Sequence, residues 1–228
     1  AFGYSLEEQT TEFVESKGGT VAGSVRHPLT NPDFSSFLLQ AQASGAKVIG
    51  LANAGLDTQN AIKQASEFGI VQSGQRLAAL LFTLAEVNGL GLEAAQGLSL
   101  TESFYWNRNE ASAEFGNRFM ERTGVMPNMV QAGTYSAVLQ YLKAVEAAGT
   151  DATEAVSAKL HEMPVDDVFA EGGTVGANGR LYKDVYLMEV KKPGDSDIPW
   201  DYYNVLQTIP GDQAYISPED SGCPLVNG

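Results

Sequence analysis

Cys223 is the only cysteine in the 228 residues, so the chain forms no internal disulfide and has no thiolate cluster to offer a metal. Basic residues are also scarce. Against 28 Asp and Glu stand 14 Lys and Arg, giving a net charge of −14. That charge repels phosphate backbones and anionic bilayers, and the few cations are too scattered to form a local basic stripe. Nucleic acid is therefore excluded as a partner. Long apolar runs are missing as well: the longest, Leu77 to Phe82, falls far short of the roughly 20 residues of a membrane span, and no signal-peptide pattern opens the chain. These features predict a soluble protein without direct membrane insertion, its export signal removed. What is present is a globular composition, 43% apolar and 18% charged.

From Ser5 to Trp106 helical and strand patterns alternate in units of about thirty residues, the pattern of βα repeats around a parallel sheet. Ser5 and Glu8 read as a capping box for a helix with an inner face of Leu6, Thr10, Phe13 and Val14. A strand at Thr20–Val25 follows. Pro32 opens a helix with Phe34, Phe37, Leu38 and Ala41 as its stripe; strands are expected at Lys47–Ala52, Leu77–Phe82 and Gly97–Trp106. Asp57 caps a helix carrying Ala61, Ile62, Ala65 and Phe68.

Beyond Asn109 the alternation stops. A helix over Asn109–Arg122 is followed by a long one over Pro127–Ala148, whose stripe of Val130, Ala137, Val138, Tyr141, Leu142 and Val145 marks a core element, and by a third capped by Asp151. Asn178 and Gly179 signal a hairpin before a strand at Leu181–Val190. The tail holds five of the nine prolines, and Trp200, Tyr202 and Tyr203 are its expected anchors.

Catalytic and cofactor motifs fail on context. Gly89, Gly91 and Ala94 match a dinucleotide fingerprint, but the next strand arrives too soon for a helix that could aim at pyrophosphate. Gly172 to Gly179 lacks the Lys-Ser or Lys-Thr pair of a phosphate loop. His27 and His161 have no second ligand at metal spacing and no nucleophile beside them. Paired acids such as Asp166 with Asp167 read as solvated faces. No cofactor is implied.

The surviving signal is positional. Ligands of open parallel sheets sit at the carboxyl ends of strands, which points to Asn53, Ala54 and Gly55 after one strand and to Phe82 and Thr83 after the next. Asn53 supplies a donor and an acceptor, Thr83 a hydroxyl, and Gly55 a close backbone approach. A turn or capping role for Asn53 fits equally well.

The segments Ala1-Phe-Gly-Tyr-Ser, Val25-Arg-His-Pro-Leu, Pro32 to Ala41, Val48 to Gly55 and Gly133-Thr-Tyr-Ser-Ala-Val resemble, in order and spacing, the periplasmic solute-binding proteins (extracellular ligand-binding receptors) of the branched-chain amino acid ABC importer family. Tyr186 to Pro193 and Pro199-Trp-Asp-Tyr-Tyr are similar to the C-terminal region of the same group. The resemblance implies an α/β fold of periplasmic binding protein type I: one lobe with a parallel doubly wound sheet plus part of a second lobe, joined by three hinge crossings. Residues 1–125 would form the second lobe, 126–184 part of the first with a hinge crossing, and 185–228 the return strand and a C-terminal tail packed on the second lobe.

The implied function is to trap a small carboxylate, amino acid or aromatic acid in the cleft and present the closed form to an ABC permease in the inner membrane. The alternatives are a ligand-sensing module on the same fold and an enzyme on the same scaffold. Tyr135 resembles the family's cleft aromatic. Arg26, Arg76 and Arg108 could each pair with a carboxylate, and the sequence does not choose among them. By the same resemblance the chain starts in the loop after a central strand, so an N-terminal fragment or partner chain is expected to supply strands. Without it the edges of Thr20–Val25 and Lys47–Ala52, and the apolar faces of Pro127–Ala148 and Leu181–Val190, should stand uncovered.

Overall fold

The structure is a computed structural model, and it describes residues 1–227. The chain forms two compact units. One comprises Ala1–Thr101 and Met188–Asn204, the other Glu102–Leu187 and the chain from Val205 onward.

In the first unit, α1 (Phe2–Ser16) and α2 (Ser35–Ala43) precede β1 (Val48–Leu51), followed by α3 (Gly55–Glu67), β2 (Arg76–Ala79), the short α4 (Leu84–Leu90) and α5 (Leu92–Ala95), and β3 (Ser99–Glu102). The β-rich run Val48-Ile-Gly-Leu pairs in parallel with Arg76-Leu-Ala-Ala, Ile49 opposite Leu77 and Leu51 opposite Ala79. These four side chains are buried, and α3 covers them with Ala61, Ile62 and Ala65, all at most 1% exposed. The helical spacing of that apolar triplet seats α3 on the sheet, as the sequence predicts. β2 pairs in parallel with β3 in turn.

Two expectations fail here. Thr20–Val25 forms no strand and is exposed throughout, and among the described residues β1 has β2 as its only hydrogen-bonded neighbour and so stands at the sheet edge. β-propensity alone cannot hold an extended segment that finds no ladder. Helix α1 starts at Phe2 instead of being capped by Ser5, and none of its residues is buried; Phe13, expected inside, is 60% exposed.

In the second unit α6 (Glu110–Thr123) and α7 (Met129–Ala148) are both closed at their N-termini by capping boxes, of Asn109 with Ser112 and of Asn128 with Gln131, and both end at a left-handed glycine, Gly124 and Gly149. Then come α8 (Thr153–Glu162), the hairpin β4 (Thr174–Val175) and β5 (Leu181–Tyr182), and β6 (Val185–Val190), which returns the chain to the first unit. The hairpin turns at the expected Asn178-Gly179, and the single strand expected over Leu181–Val190 is broken at Lys183 and Asp184. β7 (Tyr203–Ile209), α9 (Gly211–Ala214) and α10 (Pro224–Asn227) complete the chain.

The row expected as the core stripe of α7 lies outside. Val130, Val138, Tyr141 and Leu142 are exposed, whereas Ala132, Ser136, Gln140 and Ala144, four residues apart, are buried. On that row Gln140 donates to the Pro164 carbonyl, and beside it Gly133 lies under the Phe169 ring. The uncovered apolar face on α7 agrees with the expectation from the resemblance; β6 differs, because Tyr186, Met188 and Val190 are buried.

The sheet order β1-β2-β3-β6-β7 has a simple relation to the units. Each of the three passages of the chain between them falls inside a strand: at Thr101/Glu102 in β3, Leu187/Met188 in β6 and Asn204/Val205 in β7. The division comes earlier than the residue 125 expected from the sequence, and α6 packs within the unit that begins at Glu102: Phe115 meets Phe104 at 5.8 Å and Tyr135 at 4.9 Å. The tail from Val205 likewise groups with Glu102–Leu187, away from the Ala1–Thr101 unit.

Gly116 gives a direct test of packing in the second unit. A Cβ there would lie 2.9 Å from Trp106 Cβ and 3.4 Å from Met126 Sδ. Gly116→Ala is expected to destabilise the protein by about 1–3 kcal/mol through overpacking, despite the better helix propensity of alanine, as read from urea unfolding midpoints.

Candidate functional site

At the carboxyl end of β1 the chain turns through Asn53, Ala54 and Gly55 into α3. Gly55 has φ +61, a conformation that needs glycine there, and Ala54 is the N-cap. The Asn53 amide is held from both sides: Thr58 Oγ1 donates to its Oδ1 at 2.8 Å, and its Nδ2 lies 3.1 Å from His27 Nε2. His27 Nδ1 is 2.7 Å from the Pro28 carbonyl, so a neutral ring that donates there accepts from Asn53. Phe34 meets the ring edge to face at 4.7 Å. Asp57, 8% exposed, accepts the backbone N–H groups of Thr30 and Asn31, which fixes the loop carrying His27 beside the strand end. His27, which the sequence marks only as lacking a second metal ligand or a nucleophile, thus belongs to the Asn53 cluster; its position after a strand that does not form hid the connection.

At the carboxyl end of β2 the two expected residues behave differently. Thr83 is the N-cap of α4, and its backbone N–H is satisfied by the Glu86 carboxylate at 2.8 Å. Phe82 is fully buried, so its ring is part of the core of its unit. A capping role thus accounts for Thr83. Tyr135 is in the other unit, on α7, 42% exposed and against Phe115. Among the described residues, no group of three His, Cys, Asp or Glu side chains could hold a metal ion.

The three arginines considered for a carboxylate differ sharply. Arg26 is exposed and paired with Glu7 at 2.9 Å, and Arg76 is exposed at the start of β2. Arg108 is largely covered. Its guanidinium lies 5.1 Å from the Tyr186 ring centre and 2.7 Å from the Glu171 carboxylate, which Asn109 also contacts. Beside it Lys183, 6% exposed, donates to the carbonyls of Ser103 and Asp184, with its Nζ 4.3 Å from the Phe169 ring centre. Burial, reinforced by repulsion from Arg108, lowers Lys183 to about 8 against the pull of Asp184, Asp167 and Glu171. Glu171 is held below the usual carboxylate range by its bond to Arg108. Sequence reasoning missed Lys183, since a lone lysine inside the expected strand Leu181–Val190 carries no signal of its burial beside Arg108.

An α/β unit built on parallel strands is joined to the second unit through three strand crossings. The sequence profile of the periplasmic binding protein family matches residues 1–195. The chain belongs to that family. A periplasmic binding protein from Burkholderia mallei is similar at 51% identity with a TM-score of 0.91, over 99% of this chain and 60% of that one. A branched-chain amino acid ABC transporter periplasmic ligand-binding protein from Burkholderia xenovorans LB400 is 40% identical with a TM-score of 0.93, over the same shares. An ABC transporter solute-binding protein from R. palustris, solved with 4-hydroxybenzoate, shares the fold at 21% identity and a TM-score of 0.75, over 90% of this chain and 56% of that one. No curated protein matches the chain. The chain thus spans about 60% of the length of the two Burkholderia proteins.

The burial of Lys183 has a measurable cost. Its folded value of about 8 lies below the 10.5 of a solvated lysine, so the unfolded chain binds more protons between these values. The handicap is fully present below about pH 8 and is relieved as pH rises toward 10.5. Lys183→Met is expected to flatten this rise in stability, by an amount on the order of 3 kcal/mol across the window, when unfolding midpoints of the two proteins are compared.

Proposed function

We propose that the chain is part of the solute-binding component of an ABC importer, acting in the periplasm and carrying a small carboxylate, amino acid or aromatic acid to a permease in the inner membrane. The observation that carries this reading is the passage of the chain between two units at three points, each inside a strand, in a member of the periplasmic binding protein family. Strands that run through a boundary let two bodies rotate without breaking their own cores, which is what trapping by closure requires. The 4-hydroxybenzoate bound to the R. palustris protein and the transporter role of the B. xenovorans protein support the solute class. Among the described residues no helix is long and apolar enough to cross a membrane, in keeping with a binding partner of a permease. The reading is of a carrier and not of an enzyme: solute should leave chemically unchanged.

Asn53, Ala54, Gly55, Phe82, Thr83 and Tyr135 are proposed as the solute-facing positions, with Asn53 the strongest because its amide is already oriented by Thr58 and His27. At Phe82 and Ala54 the contribution is backbone. The free edge of β1 and the exposed face of α7 support a further stretch of polypeptide, covalent or from a partner chain, in the working protein.

Screening against amino acids and aromatic acids by thermal shift tests the class, because a ligand at 100 times its dissociation constant adds about 2.7 kcal/mol of stability. A shift from members of either class is expected, and silence from both would refute the reading. With the true solute in hand, Asn53→Ala and Tyr135→Ala should each weaken binding by roughly 1–3 kcal/mol, measured by calorimetry.

A further inference from the structure

Two cations share one aromatic ring in the second unit, and only one of them has a carboxylate partner. Lys183 Nζ lies 5.6 Å and the Arg108 guanidinium 5.1 Å from the centre of Tyr186. Among the described residues no carboxylate comes within ion-pair distance of Lys183; two of its three N–H groups are spent on the carbonyls of Ser103 and Asp184, and Phe169 closes over it. Bringing two like charges together in a partly buried place is unfavourable unless an anion offsets them. The anion present is Glu171, which is bonded to Arg108 but open to water. Its side chain is 64% exposed, and it arrives on the short loop between Val165 and Gly173, which a backbone bridge closes at its base.

An open depression of about 380 Å³ lies beside this ion pair, lined by Arg108, Asn109 and Glu171 together with Asp166 and Asp167. That volume suits a small organic acid. Asp167 is occupied by its own turn, its Oδ1 accepting from the amides of Phe169 and Ala170. The two aspartates make the depression unfavourable for an extra negative charge, but not for an exchange of one carboxylate for another.

We propose that Arg108, with Lys183 behind it, forms a binding site for the carboxylate of a small organic acid, and that Glu171 holds this position in the free chain and is displaced when the acid binds. The inference rests on the solute-binding reading and assigns to it the anchor that the sequence left open among three arginines. The exchange leaves the local charge count unchanged while Glu171 moves into water, where an exposed carboxylate loses little. The groups facing Lys183 are Arg108, Tyr186, Asp184, Asp167 and Glu171. A carboxylate drawn deeper than Glu171 raises the proton affinity of Lys183, so binding is coupled to proton uptake near the lysine's midpoint.

The test follows Lys183 by NMR of protein carrying isotope-labelled lysine, with its Cε signal assigned by its absence in Lys183→Arg. Benzoate is the probe and chloride at equal ionic strength the control. Benzoate is expected to raise the Lys183 titration midpoint while chloride does not, and Arg108→Met should abolish the response. In Glu171→Gln, which removes the competitor, the same response should need up to roughly fivefold less benzoate. Equal midpoints in benzoate and chloride would overturn the site, as would a response that survives Arg108→Met. Calorimetry with 4-hydroxybenzoate and leucine separates this inference from the reading it rests on. Solute binding that Arg108→Met leaves unchanged sinks the anchor and keeps the carrier function; a Lys183 response to benzoate without binding of either solute supports the anchor and counts against that function.

Discussion

The Lys183 ammonium donates to the carbonyls of Ser103 and Asp184, and the second unit is arranged around that contact. Ser103 is the second residue after the chain enters the unit in β3, and Asp184 comes just before β6 carries it out again. One side chain therefore joins the incoming and outgoing segments. The third segment closes on the same point: Gly211 donates to Asp184 Oδ1, and a Cβ on it would lie within 2.8–3.0 Å of the Lys183 backbone. A hydrophobic residue at 183 would pack without the desolvation cost, but would leave both carbonyls without this donor. Arg108 and Tyr186 then take their places because their segments are fixed by this contact.

The parallel sheet and its covering helix were legible in the sequence because their signals are local and agree. Val48–Leu51 and Arg76–Ala79 are short apolar runs, and the Ala61, Ile62 and Ala65 spacing marks the helix that covers them. Thr20–Val25 carries an equally good strand pattern and forms none, since pattern reports what a segment could bury and not whether a neighbour is there to pair with it. The same limit explains α7. Its length was legible as Pro127–Ala148, but which row turns inward was set by close approach, where Ala132, Ser136 and Ala144 fit and Val138 and Leu142 do not.

For the candidate site, the rule that strand ends bind ligands picked the residues that follow β1 and β2 but could not separate side chain from backbone. Asn53 proved to be oriented by two partners, Thr83 was claimed by its helix and Phe82 by the core. The partners of Asn53 lie 5 and 26 residues away, and only the nearer, Thr58, sits within a single predicted helix turn of the loop. His27 became a neighbour through Asp57, whose carboxylate gathers the backbone of Thr30 and Asn31. Contacts of that range leave no periodicity to read.

Charge gives the final constraint. With a net charge of −14 the chain repels organic acids that come within about a Debye length of its surface, roughly 8 Å at physiological ionic strength, so attraction must be built locally. An exposed arginine cannot do this well, because in such a chain it is neutralised by the nearest acid, as Arg26 is by Glu7. Arg108 differs in its surroundings: an aromatic ring on one side and a buried ammonium behind it withdraw water and keep a second positive charge close. In low dielectric that field is felt by whatever carboxylate occupies the position, and the identity of the occupant is decided by fit and not by net charge. An acidic protein can in this way hold an anion at one place while its surface as a whole discourages them.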